Sequence, residues 1–462
     1  MKGKEARRVS GSSSASIADT IGRKATLAIG VSSIGYGVAF VGSIVVARLL
    51  GAEGKGSFSL FLVTVSGLTT LAGFGLEKGH MFHASRSEER LERFLSNGIM
   101  VSLLLGGGSG ILYFLLGQFA DLSITSMGMH VAIAAIVMVS ILTMLKFQTQ
   151  YLLMIHAFVL SRANRSLQQA IPLVAALALL PIMEPTVDRL ILAVVTGMFA
   201  LLIVTQVLMR RLSPIRVRLS PALFSFSFLR ESLGFGLRVY LGDVLLFFAK
   251  RLDFFLVALL LGRSALGIYS VAVALSEVAV RIPRELGMML FPVFASGGLR
   301  TGQAASLLRK MNAVALGLAL TLGVLAKFLI ELLFGEEFAP AASVFQWLLP
   351  GTVAWSTVQV TYNRVAAGGR PGLGVFVFGG AVVIDAVLNV ILLPRIGVAG
   401  AAIAATASYL FAAAALLHFF CRYEGSSYKE ALVPRMDDLR SIFGMIWKLG
   451  TGRDRKPRRP GR

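Results

Sequence analysis

Between Phe235 and Ser270 the chain reads FGLRVYLGDVLLFFAKRLDFFLVALLLGRSALGIYS, an apolar run long enough to cross a bilayer that nonetheless contains Asp243, Lys250, Arg251 and Asp253. Each charge at the centre of a bilayer costs at least about 2.5–3.5 kcal/mol on insertion scales, so four in one span need a reason. The chemistry such groups offer is electrostatic. Cations hold an anion, and carboxylates balance charge or carry a proton or sodium ion. On a helix Asp243 and Lys250, seven residues apart, share a face that Arg251 and Asp253 flank. Lys250 and Asp253 are also within i, i+3 pairing reach.

Other polar groups survive inside apolar stretches. Glu277, Arg281 and Arg284 lie in the next one, Arg364 closes the tenth, and Asp385 and Asn389 stand one turn apart in the eleventh. The first half is sparser, with Gln148 and Gln150 in the fourth span and Glu77 and Lys78 at the end of the second. Two readings fit this pattern. The charges are internal ion pairs that fix helix packing, as Lys250–Asp253 and Glu277–Arg281 would be, or they line a wet cavity. Arg281 and Arg284 also suit a place among headgroups.

Bond-making chemistry finds little support. The one cysteine, Cys421, excludes a thiolate metal site, and His80 and His83 have no acidic partner in metal-ligand order. The loop Gly51-Ala-Glu-Gly-Lys-Gly-Ser57 has the wrong order for a phosphate-binding loop, because Lys55 precedes Gly56 rather than Ser or Thr. The reading is a protein that is not an enzyme and uses no cofactor or metal, apart from coupling to a proton or sodium ion.

The elements that position these groups are membrane spans. Of 462 residues, 56% are hydrophobic and only 15% charged, and mean hydropathy is +0.76. Spans are expected at 25–47, 57–76, 96–116, 128–150, 168–183, 190–209, 235–261, 267–292, 312–334, 341–362, 373–394 and 398–420. With the N-terminus inside, 37 of the 45 Lys and Arg fall on the inner side. Six fall outside: Arg48, Lys55, Arg189, Arg263, Lys327 and Arg395. That asymmetry places both termini in the cytoplasm of a multi-pass plasma-membrane protein. The net charge of +21 therefore answers to topology and anionic lipid, not nucleic acid. Residues 1–24 read as a disordered basic tail, and no cleaved signal peptide is expected. Residues 422–462 read as a second basic tail, in which Leu439–Lys448 suits an amphipathic helix on the inner leaflet.

The chain also repeats itself. At an offset of 211, Ala47, Leu49, Leu50, Gly51, Gly56 and Ser59 meet Ala258, Leu260, Leu261, Gly262, Gly267 and Ser270, with Phe58 opposite Tyr269. The same offset pairs Gln148 with Gln359 and Tyr151 with Tyr362; an offset of 213 pairs Leu179-Leu-Pro181 with Leu392-Leu-Pro394. The expected architecture is all-α, with about twelve transmembrane helices in two parallel six-helix lobes, 25–210 and 235–421, joined by a basic linker at 211–234. Such lobes enclose a central cavity. Gln148 and Gln359 are expected to be polar wall residues, and Pro172 and Pro181 to bend the fifth span.

Three stretches carry a family resemblance. They are Val46-Ala-Arg-Leu-Leu-Gly-Ala-Glu-Gly-Lys-Gly56, then Leu252-Asp253 with Leu261-Gly262, Gly267 and Tyr269-Ser270, and, most specifically, Asn389-Val-Ile-Leu-Leu-Pro through Ala-Ser-Tyr409. Over roughly residues 25–420 the sequence resembles the polysaccharide (Wzx-type) flippases of the multidrug/oligosaccharidyl-lipid/polysaccharide (MOP) exporter superfamily. The resemblance implies a V of two lobes that moves a lipid-linked oligosaccharide on a polyprenyl-phosphate or pyrophosphate carrier across the plasma membrane for surface polysaccharide biosynthesis. It implies that Lys250, Arg251, Arg281, Arg284 and Arg364 contact the anionic headgroup. Asp243, Asp253, Glu277, Asp385 and Asn389 would balance charge or couple transport to an ion. The partners implied are membrane lipid, the polyprenyl-linked glycan, and a polysaccharide polymerase or glycosyltransferases, with the chain acting as a monomer. Drug exporters of the superfamily usually carry an acid in the first span, and residues 25–47 have none. Its peptidoglycan-precursor flippases usually carry two further C-terminal helices. A membrane scaffold for polysaccharide assembly is the non-transport alternative.

Overall fold

The apolar stretches form helices in the computed structural model, which describes residues 2–84, 88–120, 129–155, 157–182, 184–212, 224–295, 303–368, 370, 372–433 and 438. In chain order these are α1 (Lys2–Leu71), α2 (Leu76–Ala84), α3 (Glu88–Ala120), α4 (Met129–Met154), α5 (Phe158–Leu179), α6 (Val187–Leu212) and α7 (Phe226–Leu261). There follow α8 (Arg263–Ala295), α9 (Gln303–Phe334), a 3₁₀ turn (Glu336–Phe338), α10 (Ala341–Ala367), α11 (Leu373–Ile396), α12 (Val398–Glu424) and the short α13 (Tyr428–Leu432). Among the described residues seven stretches are long and apolar enough to cross a membrane, lying in α1, α4, α6, α8, α9, α11 and α12. The 36-residue α7 also exceeds bilayer thickness, at about 1.5 Å per residue. Residues 2–24, expected to be a disordered tail, continue the backbone helix of α1. The core of the linker and the Leu439–Lys448 segment lie outside the described residues.

The chain divides into two compact units. One comprises Met1–Ala274, Leu329–Ala341 and Leu393–Val398; the other comprises Leu275–Phe328, Ala342–Leu392 and Ala399–Arg462.

In the first unit α1 is two helices joined at Gly51, whose φ of 66° and ψ of −173° no other residue type adopts cheaply. Gly262, its counterpart at offset 211, joins α7 to α8 with φ 88° and ψ −177°. The two copies of the repeat therefore turn the chain in the same way. They also meet there reciprocally. A Cβ on Gly56 would stand 1.8 Å from the Arg263 carbonyl oxygen, and one on Gly267 would stand 1.9 Å from that of Ala52. Residues 52 and 263 are themselves related by the offset, so the contact has local two-fold character. Arg48 donates to the carbonyls of Leu333 (2.7 Å) and Leu332 (2.5 Å) at the end of α9, and Glu337 accepts from Ala52 N (2.9 Å). These bonds satisfy helix ends that lipid could not.

α2 packs on α7 as closely. Gly75, with φ 64°, and Gly236 approach backbone to backbone, and Gly79 lies against the Ser232 carbonyl. Tyr240 donates to the Leu71 carbonyl (2.5 Å), and Phe74, at a left-handed φ of 46°, packs its ring 5.4 Å from that of Tyr240. Small residues that let backbones touch are what holds helices together where lipid removes the hydrophobic drive. Beside this seam His80 is buried among Phe94, Phe147 and Phe228.

In the second unit α10 packs on α9 and α12 through polar side chains. Asn312 Oδ1 accepts from Ser356 (2.6 Å) and Thr357 (3.2 Å). Arg309 binds Asp438 (2.8 Å) and the Glu430 carbonyl, and Ser427 with Glu430 forms a capping box at α13.

Candidate functional site

The charges of α7 point to different partners along its length. Asp243 accepts both of its charge-assisted bonds from Lys78 of α2, at 2.7 and 2.5 Å, each side chain about one-third exposed. Two turns further on, Lys250 and Arg251 are half-buried, and the Arg251 guanidinium lies 5.0 Å from the centre of the Phe254 ring. Asp253 is 3% exposed. Its carboxylate accepts from the Tyr269 hydroxyl of α8 and from Phe254 N (2.9 Å), within the field of Arg251. The motif residues Asp253 and Tyr269 thus meet across the α7–α8 turn. Their counterparts in the first copy, Gly42 and Phe58, hold no charge there.

Sequence reasoning left part of this constellation unassembled. Lys146 of α4, half-buried, reaches the Thr69 carbonyl (3.5 Å) and is close enough to Glu77, Asp243, Lys78 and Arg165 to feel the charge of each. A lysine four residues from the end of an apolar span was the available signal.

Several expected site residues take other places. Gln148 is fully buried, donating to Gln206 Oε1 (3.0 Å) and the Leu202 carbonyl (3.3 Å), so it joins α4 to α6 instead of lining a wet wall. Arg364 is held by Glu424 of α12 at 2.7 and 2.6 Å and lies over the Tyr423 ring at 4.7 Å. Its charge is balanced inside the second unit, which suits helix packing better than a ligand. Asp385 and Asn389 are buried on α11, with Asn389 Nδ2 donating to the Asp385 carbonyl (2.9 Å). Glu277, Arg281 and Gln359 are half-buried. The side chain of Arg284 lies outside the described residues.

Two features that resembled other chemistry have structural explanations. Lys55 is buried and donates to Ser43 (2.9 Å), while the helix start above it is occupied by Glu337, so the glycine loop presents no anion cradle. His83 faces Glu231 at 3.0 Å. His80 donates from Nδ1 to the Leu76 carbonyl (2.9 Å), and burial holds its pKa down at about 4.

A family described as "Polysaccharide biosynthesis protein" matches residues 21–297. No curated protein matches the sequence. Among solved structures, an inward-facing multidrug resistance MATE family transporter of the MOP superfamily is 15% identical, with a TM-score of 0.63 over 87% of this chain and 98% of that one. The lipid II flippase MurJ, in an inward closed conformation, is 11% identical, with a TM-score of 0.66 over 92% and 93%. The fold is that of the twelve-helix MOP transporters, and the chain is a multi-pass membrane protein.

Proposed function

Because the chain belongs to the polysaccharide biosynthesis protein family, we propose that it is a flippase for a lipid-linked oligosaccharide, working by alternating access of its two lobes in the plasma membrane. The observation that carries the reading is the pair Lys250 and Arg251, half-buried between Asp243 and Asp253 in the apolar run of α7, which the family match includes. A polyprenyl phosphate or pyrophosphate headgroup is anionic and crosses a medium that penalises charge. Cations along its path offset that penalty, while the glycan stays in the wet interior and the polyprenyl tail in lipid. Arg281 and Arg284 are proposed as further headgroup contacts. Arg364 is not, since Glu424 balances it.

Asp253 has the surroundings of a coupling group, being a buried carboxylate with one hydroxyl partner and a cation nearby. Its protonation would change the net charge beside Arg251. The distribution of Lys and Arg supports a cytoplasmic position for both termini.

The test is complementation of a strain lacking its surface-polysaccharide flippase. Lys250→Gln and Arg251→Gln should each abolish export at unchanged protein level; normal export from both contradicts the assignment. Drug export is the second reading, favoured by the fold it shares with the MATE transporter. A glycan lipid moved in vesicles, with no ion-dependent efflux of organic cations, separates the two. The match to MurJ over 93% of that chain means that length does not distinguish a peptidoglycan-precursor flippase, so the vesicle assay includes that lipid as well.

A further inference from the structure

The two turns that meet at the reciprocal glycine contact share a backbone and differ in what they bury beside it. In the first copy Lys55, 6% exposed, reaches back across the Gly51 break and donates from Nζ to Ser43 Oγ (2.9 Å). At the offset of 211 the second copy has Leu266 opposite Lys55 and Phe254 opposite Ser43, both buried. The fold therefore accepts an apolar pair at this place, and one copy carries an ammonium instead. Among the described residues Ser43 is the hydrogen-bond partner of Lys55, and no neighbouring charge offsets its burial. Arg48 and Glu337, at the same turn, are engaged elsewhere, Arg48 on the carbonyls of Leu332 and Leu333 and Glu337 on Ala52 N, while Glu53 is exposed.

An ammonium out of water with one hydroxyl to meet its three donors is costly, whereas leucine gains from the same burial. We propose that Lys55 is a built-in bias against the closed contact: it weakens the meeting of the two turns while that meeting shuts out water, and it is relieved when they part. The contact itself is the approach of Gly56 to the Arg263 carbonyl and of Gly267 to the Ala52 carbonyl, and Gly56 is the residue next to Lys55. Lipid gives a seam of touching backbones no hydrophobic drive to stay shut. One uncompensated charge on one side is then enough to shift the balance between closed and parted turns, because water reaches the ammonium in the parted state alone. The second turn, with Leu266, carries no such bias. That the turns part during translocation rests on the transport reading above; the weakening of the closed contact does not.

Amide hydrogen exchange of the full chain in nanodiscs reads this contact. The decisive amides are those of 263–268, because they belong to the turn that the substitutions leave untouched. Lys55→Leu, which installs the second-copy residue, should slow their exchange about three- to fivefold. Lys55→Met should do the same and covers the case in which the leucine variant fails to fold. Ser43→Ala, which removes the hydroxyl partner, should quicken exchange about twofold or more. Lys55→Arg keeps the charge and should not slow it. Unchanged or faster exchange at 263–268 in the Leu and Met variants, or a slowing by Lys55→Arg equal to theirs, overturns the bias whatever the vesicle assay gives. Translocation of a glycan lipid in vesicles separates this inference from the transport reading. Slower transport by Lys55→Leu, despite a higher unfolding temperature, supports parting of these turns during the cycle. Unchanged transport with slowed exchange leaves the bias standing and removes this contact from the transport route. If no glycan lipid moves even with the unmodified chain, the transport reading falls and the exchange result still decides the bias.

Discussion

The two copies of the repeat agree in backbone and differ in charge. Gly51 and Gly262 turn the chain with nearly the same φ and ψ, and Gly56 and Gly267 meet reciprocally. Yet where the second copy carries Asp243, Lys250, Arg251 and Asp253, the first has Ser32, Ala39, Phe40 and Gly42. The first copy in turn buries Lys55 where the second has Leu266. What both copies keep is required by the fold. What one copy alone carries is free to serve something else.

The sharpest way to break this comparison is at the shared contact. Gly56→Ala or Gly267→Ala would drive a methyl into a backbone carbonyl of the other copy, and each is expected to cost about 3 kcal/mol or more. Thermal unfolding in detergent reads this, and the two variants should be nearly equal if the contact is truly reciprocal. Arg364→Gln comes next, at about 3 kcal/mol, because it leaves the buried Glu424 carboxylate unpaired. Loss of export without loss of stability in that variant would return Arg364 to the substrate path. Gly262→Ala has open space around the new methyl but puts alanine in a backbone region that is essentially glycine's alone, so it should cost about 1–3 kcal/mol. Lys55→Leu, which gives the first copy the second copy's residue, should stabilise by up to about 1 kcal/mol, since Lys55 has one hydroxyl to offset its burial.

His80 supplies a pH test beside the α2–α7 seam. Its folded pKa of about 4 lies below its ordinary 6.5, so the unfolded chain binds the proton first. Stability is full above pH 6.5 and falls as pH drops from 6.5 to 4, by up to about 3 kcal/mol. His80→Phe, which suits the surrounding rings of Phe94, Phe147 and Phe228, should remove that acid-side loss.

The glycine turns, the spans and the repeat were legible in the sequence because each rests on local residue types: glycine for a positive φ, apolar runs for helices in lipid. The pairings were not. Lys78 and Asp243 are 165 residues apart, and Arg364 and Glu424 are 60 apart, so no periodicity connects them. Gln148 and its counterpart Gln359 illustrate the same limit. Identical residues at equivalent positions differ in burial, because the helices packed around them differ. Spacing places Asp253 on its helix, but only tertiary packing brings Tyr269 onto its carboxylate.

The charges present in the second copy alone are proposed to serve an anionic lipid substrate, and this role can be measured. Its most direct measurement is the initial rate at which reconstituted vesicles translocate a polyprenyl-pyrophosphate-linked oligosaccharide, comparing the unmodified chain with Lys250→Ala/Arg251→Phe, which installs the first-copy residues. The expected result is at least a tenfold loss of rate, about 1.4 kcal/mol or more, with unfolding temperature unchanged. An unchanged rate in that variant, in vesicles where the unmodified chain is active, would contradict it.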